Sequence, residues 1–343
     1  MSRIAVRRAP SRKLRWPSGA AVLLLSMLPL SLRAEAPAAA EVLRELGFPA
    51  SAEQKVLGGE FVKVDVKSTN DRELAVGMAF LVEVPPKKFI EELQAGLLLE
   101  TDPNAIAHGP ITGSLADFQK LTLTPDGKSQ VELYRDVEPG EDMNLSAEEI
   151  AAFNALKGKP AAQVEDQVRK ALLARYQAYR ASGLAGIAPY ARGRGKQTFA
   201  GKDLESASKA TVYMKKELPA FYQVLLGYPK ADAPGLTETF SWVTYRAHGT
   251  PVRLLVHGFA LTDGDAIAVC QRQFYVSSSY NAEQAVAGFL PVKGGTVVVY
   301  VNRTSTDQVT GFGGSAKRSI GSGLLASQLE DLFANLQKAV TKK

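Results

Sequence analysis

The chain has one cysteine, three histidines and two tryptophans in 343 residues. A single cysteine, Cys270, excludes an intramolecular disulfide in any compartment, so the fold must hold by packing. The histidines, His108, His248 and His257, stand apart and lack the i, i+4 or Cys/Asp spacing of a metal site. No metal and no cofactor is expected from these residues. The Gly-x-Ser-x-Gly elbow of hydrolases and the Gly-x-x-x-x-Gly-Lys-Ser/Thr phosphate loop are both absent. The paired carboxylates Glu91-Glu92 and Glu148-Glu149 fall on expected helices, where sequence neighbours point different ways, so neither pair reads as an acid/base couple. No residue earns a catalytic assignment. Beyond residue 36 no apolar run is long enough to cross a bilayer, so no transmembrane segment is expected in the mature chain.

What is present is an address. Arg3, Arg7, Arg8, Arg12, Lys13 and Arg15 precede the apolar run Gly19 to Leu32, and Ala34-Glu35-Ala36 follows it. Residues 1–36 thus have the layout of a secretory signal peptide, and the 14-residue run is shorter than the roughly 20 residues of a membrane span. No cysteine follows it to carry a lipid anchor. The expected location is the periplasm or the extracellular medium. Cleavage after Ala34 removes seven of the 41 Lys and Arg and no acid, which leaves 34 against 35 Asp and Glu. The whole-chain net charge of +6 therefore does not support nucleic-acid binding, which depends on basic side chains releasing counterions from phosphates.

The remaining residues read as an α+β domain with a helical insertion: residues 37–145, then the insertion 146–235, then 236–343 completing the domain. Glu41 to Leu46 reads as a helix, and Gly59 to Lys67 and Leu74 to Val84 as strands. Pro85-Pro86 opens a helix carrying Phe89, Ile90, Leu93 and Leu97 at helical spacing. Gln130 to Asp136 reads as a short strand. Ser146 to Glu149 forms a capping box, and Pro160 starts a helix with Val164, Val168, Leu172 and Tyr176 on one face, closed near Gly183. Leu218 to Leu226 is a further helix. Thr239 to Arg246, Val252 to Leu261, Ala266 to Ser277 and Thr296 to Asn302 are expected strands of an antiparallel sheet, with a hairpin at Asp263-Gly264. A last helix, about Ser322 to Lys338, carries Leu325, Leu329, Leu332, Phe333 and Leu336 and must lie across that sheet.

Two polar segments invite a functional reading. Arg192, Arg194 and Lys196 alternate with glycines in a basic loop. Asn302 to Asp307, followed by Gly311 to Arg318, places Arg303, Lys317 and Arg318 where an anion or lipid headgroup could dock, or forms a rigid connector in which Arg303 pairs with Asp307.

The strand ending in Val82-Glu83-Val84-Pro85-Pro86-Lys87-Lys88-Phe89, together with the late antiparallel sheet closed by a long helix after Val297 to Val301, resembles the helix-grip layout of the START-like, or Bet v 1-like, superfamily. The likeness covers roughly residues 59–123 and 236–340; the helical middle departs from the compact form. It implies a sheet gripping the C-terminal helix around an apolar cavity, lined by Val256, Val269, Phe274, Val299, Leu325 and Leu329, for a lipid or hydrophobic small molecule. Two alternatives stay open at this stage. One is an envelope interaction protein docking through the helices of the insertion; the other is an enzyme with a dispersed site such as His257, Arg303 and Asp307.

Overall fold

Two short helices, α1 (Ala39–Glu45) and α2 (Ala52–Leu57), lead into an edge strand, β1 (Val62–Asp65), and a long strand, β2 (Glu73–Val82). Helices α3 (Pro86–Gln94) and α4 (Leu97–Thr101), strand β3 (Ala105–Pro110) and helix α5 (Lys128–Arg135) follow. The insertion holds α6 (Ala147–Asn154), α7 (Ala161–Ser182), the two-residue strands β4 (Tyr190–Ala191) and β5 (Gln197–Thr198), then α8 (Ala200–Lys209), α9 (Val212–Glu217) and α10 (Pro219–Gly227). The chain ends in β6 (Leu236–Ala247), β7 (Thr250–Asp263), β8 (Ala266–Val276), β9 (Ala282–Val292), β10 (Gly295–Ser305) and the helix α11 (Gly314–Val340). This computed structural model describes residues 38–123, 128–140, 142–247, 249–263, 266–311 and 313–342. The leader, His248 and the hairpin residues Gly264 and Asp265 lie outside the described residues.

Eight strands form one antiparallel sheet in the order β1-β2-β10-β9-β8-β7-β6-β3, so the fold is α+β with a long C-terminal helix and a helical middle. Side-chain alternation gives the sheet two unlike faces. On β2 the residues Val76, Met78, Phe80 and Val82 point to one face, and with Val298 and Phe289 they pack under α3, α4 and α11 through Leu329, Phe333 and Leu336. Phe80 stacks on Phe333 with ring centroids 4.6 Å apart, a geometry that adds about 1 kcal/mol to the burial itself. This is the helix α11 face. The opposite face carries Ala75, Gly77 and Ala79 from β2, and over β6 to β9 it is covered by α5 to α10.

The insertion is anchored by charge as well as by apolar packing. Ser146 caps α6: its hydroxyl accepts from Glu149 N, and the Glu149 carboxylate accepts from Ser146 N at 2.7 Å. The same carboxylate takes Nε of the buried Arg175 on α7 at 2.7 Å, so one acid closes a helix end and neutralises a buried cation. The stripe Val164, Val168, Leu172 and Tyr176 faces the large core cluster. At the end of α7, Gly183 has φ +58°, and a Cβ there would stand 1.9 Å from the Tyr228 carbonyl oxygen, so no other residue fits.

Several expected elements change on folding. Gln130 to Arg135 lies in helix α5 instead of a strand; Val131 and Tyr134, three apart, are both buried, a spacing that shares one face of a helix and that a strand would split between its two faces. α8 and β9 were not anticipated, the latter because its alanines and glycine weaken the usual β-branched signal. α11 begins at Gly314, eight residues before the expected Ser322. Opposite Leu255 and Val256 of β7 the pairing skips Phe274 of β8, whose ring stacks on Tyr179 at 4.1 Å between centroids.

Candidate functional site

A cavity of about 320 Å³ opens on the small-residue face, the side of the sheet away from α11. Its floor follows two strands. In register, Val301 faces Val286, Val299 faces Gly288 and Val297 faces Leu290, and all but Val297 line the space. α1 and the residues after it contribute Val42, Leu46 and Phe48 to one wall. α9 and the residues beside it contribute Val212, Met214 and Leu218 to another. β1 supplies Val64, and Val66 follows it.

Two glycines shape this space in opposite ways. A Cβ on Gly288 would reach nothing nearer than Met214 Cε at 3.9 Å, so the missing side chain is cavity volume. Gly77 does the opposite job: a Cβ there would stand 2.5 Å from Val64 Cγ1 and 2.9 Å from Val66 Cγ2, so its absence lets the β1 valines close onto β2. The size alternation Ala75-Val76-Gly77-Met78-Ala79-Phe80 is the sequence signal for this arrangement. It becomes legible once the strand register is known.

The lining is apolar except at one end and on the rim. Asp65 and Lys67 are exposed on the β1 side, and Glu217 is tied to Lys216 at 2.9 Å. Burial, reinforced by Glu217, raises the Tyr213 hydroxyl well above its ordinary range, so it is a neutral donor. Arg303 is the buried charged side chain of the lining, 8% exposed. Its Nη1 donates to Glu73 Oε2 at 2.7 Å and to the Lys67 carbonyl at 3.2 Å. Its Nε is buried and has no partner.

The residues singled out from sequence divide between the two faces. Val299 and Arg303 line the cavity. Leu325, Leu329 and Val269 pack in the α11 cluster, and Val256 packs beside Val252, Leu254 and Val276 in a separate cluster. Phe274 is core, against Tyr179. Lys317 and Arg318 sit on the first turns of α11, where Arg318 donates to the Asp71 carbonyl at 2.9 Å, so they are not gathered with Arg303 on one anion. The expected Arg303–Asp307 pair is replaced by two others. Arg303 takes Glu73, and Asp307 takes Arg192 Nε at 3.2 Å and the Thr198 hydroxyl at 2.9 Å. In the basic loop, Arg192 is buried in these contacts and in bonds to Asn144 and Asn281, while Arg194 and Lys196 are exposed.

His257 lies elsewhere, fully buried among Phe240, Phe259 and Tyr228. Burial pulls its pKa down to about 4, outweighing the Glu238 carboxylate 3.1 Å from Nε2. Cys270 is buried, and burial pushes its thiol up to about 12. His257, Arg303 and Asp307 each hydrogen-bond to different partners: His257 to Tyr179 and Glu238, Arg303 to Glu73, and Asp307 to Arg192. Among the described residues no cluster of His, Cys, Asp or Glu could hold a metal, and no helix is long and apolar enough to cross a membrane. No protein-family model matches the chain, and no curated protein is similar to it.

Proposed function

We propose that this protein is a secreted, periplasmic or extracellular binder of a small hydrophobic ligand and that it performs no chemistry on it. The observation that carries this reading is the 320 Å³ apolar cavity built on Gly288, Val286, Val299 and Val301, a volume inside the range of ligand sites. Interiors fill to crystal-like density, so a large void lined by valine, leucine and phenylalanine needs an occupant to regain its lost contacts. The antiparallel sheet and long C-terminal helix are compatible with the helix-grip layout of START-like proteins, in which binding a hydrophobic guest is the common theme. Here the guest space belongs to the face covered by α1 and α9, and α11 supports the sheet from behind. The docking alternative gains little from the insertion: none of the exposed large apolar side chains among the described residues falls on α6 or α7, and of the two in the insertion, Phe199 and Val212, the second lines the cavity.

Native mass spectrometry of the full chain purified from a bacterial periplasm, followed by organic extraction, tests the reading. A stoichiometric apolar molecule, lost when Gly288 is replaced by valine, is the expected result. A bare protein that takes up no added hydrophobic ligand would overturn it.

A further inference from the structure

The cavity has a polar end at Arg303. Arg303 stands there on β10, and Gln284 stands directly across from it on β9, the two Cβ atoms of such a pair being about 5 Å apart. Arg272 Nε donates to Gln284 Oε1 at 2.9 Å, which fixes the amide so that its Nε2 is the free end. That Nε2 is buried without an acceptor, as is Arg303 Nε. A buried donor without an acceptor is costly when unmet, because it has left water without replacing its hydrogen bond, and of these two residues it is Arg303 that lines the cavity. On the side of Asn70, Glu73 and Asp203 the space beside Arg303 is only about 10 Å³, room for a single water. On the Val301 side it opens into the 320 Å³ cavity.

Resting on the hydrophobic-ligand reading, we infer that the ligand is an amphipath with one anionic head, a carboxylate or a phosphate, seated against Arg303 with its tail running past Val301 and Val299. Glu73 holds the guanidinium through Nη1 and leaves Nε for the guest. Tail length follows the strand: Arg303, Val301 and Val299 share one face, so the floor from head to Val299 spans about 13 Å. A neutral head would satisfy one donor only weakly, whereas an anion makes a charge-assisted bond roughly twice as strong.

The test is titration of the full-length mature protein with decanoate, decyl phosphate and decanol, followed by calorimetry. The wild type is expected to bind at least one of the two anions about tenfold or more tighter than decanol, and the stronger of the two identifies the head. In the paired variant Glu73→Gln with Arg303→Met, which removes both charges together and so strands neither, the preference should fall to within about twofold while decanol still binds. Gly288→Val, which leaves the charges alone, should lose all three. Equal wild-type affinities for the anions and decanol, with decanol binding lost in Gly288→Val, would overturn the anionic head and leave the hydrophobic-ligand reading standing. Failure of all three probes to bind the wild type would overturn both.

Discussion

The Tyr179 hydroxyl donates to Nδ1 of His257 across 3.0 Å. It also accepts from Nη1 of Arg272 at 3.1 Å, and the proton on the other side of the imidazole goes to Glu238, which can only accept. A chain of four side chains thus runs from a fully buried guanidinium to a carboxylate at the surface. Arg272 makes its remaining bonds to neutral groups, Gln284, Ser208 and the Leu225 carbonyl, so Glu238 is the acid at the end of its relay. Hydrogen bonding from His257 holds Glu238 below its ordinary pKa.

The imidazole makes stability depend on pH in a defined window. Its pKa is about 4 when folded against 6.5 unprotected, so between these values the unfolded chain binds the extra proton and stability falls as pH falls. Between pH 7 and pH 5 the loss is about 2 kcal/mol. Urea midpoints at the two pH values measure it, and His257→Gln should flatten the difference. A pH difference that persists undiminished in His257→Gln would assign the acid sensitivity to other groups.

The two glycines on the small-residue face are expected to respond in opposite directions. Gly288→Val adds a strand-favouring side chain into open space and should leave stability unchanged or raise it by up to about 1 kcal/mol. Gly77→Ala drives a methyl group into Val64 and Val66 and should cost about 1 to 3 kcal/mol. Thermal melts of both variants decide this. If Gly288→Val unfolds the chain, the space beside it is not open.

Glu149 serves two roles that single substitutions separate. Ser146→Ala removes the cap alone and should cost about 1 kcal/mol. Glu149→Ala removes the cap partner and strands the buried Arg175, so about 3 to 5 kcal/mol is expected. Denaturant titration of the two variants side by side gives the difference. Equal losses would mean the Arg175 pair contributes nothing.

Cys270 should be inert in the folded state. Its burial and raised pKa leave almost no thiolate at neutral pH, so a thiol reagent should react only at the rate of unfolding. Labelling in water and in denaturant, followed by mass spectrometry, reads the two rates. Rapid stoichiometric labelling of the native protein would place the thiol at an accessible surface.

The sequence was informative wherever a local rule settled the outcome. The capping box at Ser146, the apolar stripe of α7 and the glycine at its end each state a structure within a few residues, and all three formed. Four of the five late strands and the body of the closing helix were equally plain because their periodicities are long, whereas β9 and the first turns of α11 were not. The cavity was not legible, since it depends on which residues face one another. Nothing local says that Gly288 lies opposite Val299, or that Arg303 lies opposite Gln284 and bonds Glu73, 230 positions away. Val299 was singled out by the helix-grip resemblance and Arg303 by the polar segment that follows the last expected strand. The walls from α1 and α9 were not, because these short helices acquire a role only through packing at long sequence distance.

The fully open position at Gly288 has one further consequence. Residues on that face of β9 recur every two positions, about 6.8 Å apart, and each is a graduation along the path from Arg303. Substituting alanine, then valine, then leucine at 288 would move a stop inward by steps, so the longest guest admitted should shorten while the head's seat stays where it is. The strand pair β9 and β10 then works as a ruler, with selectivity for chain length written in the size of a single residue.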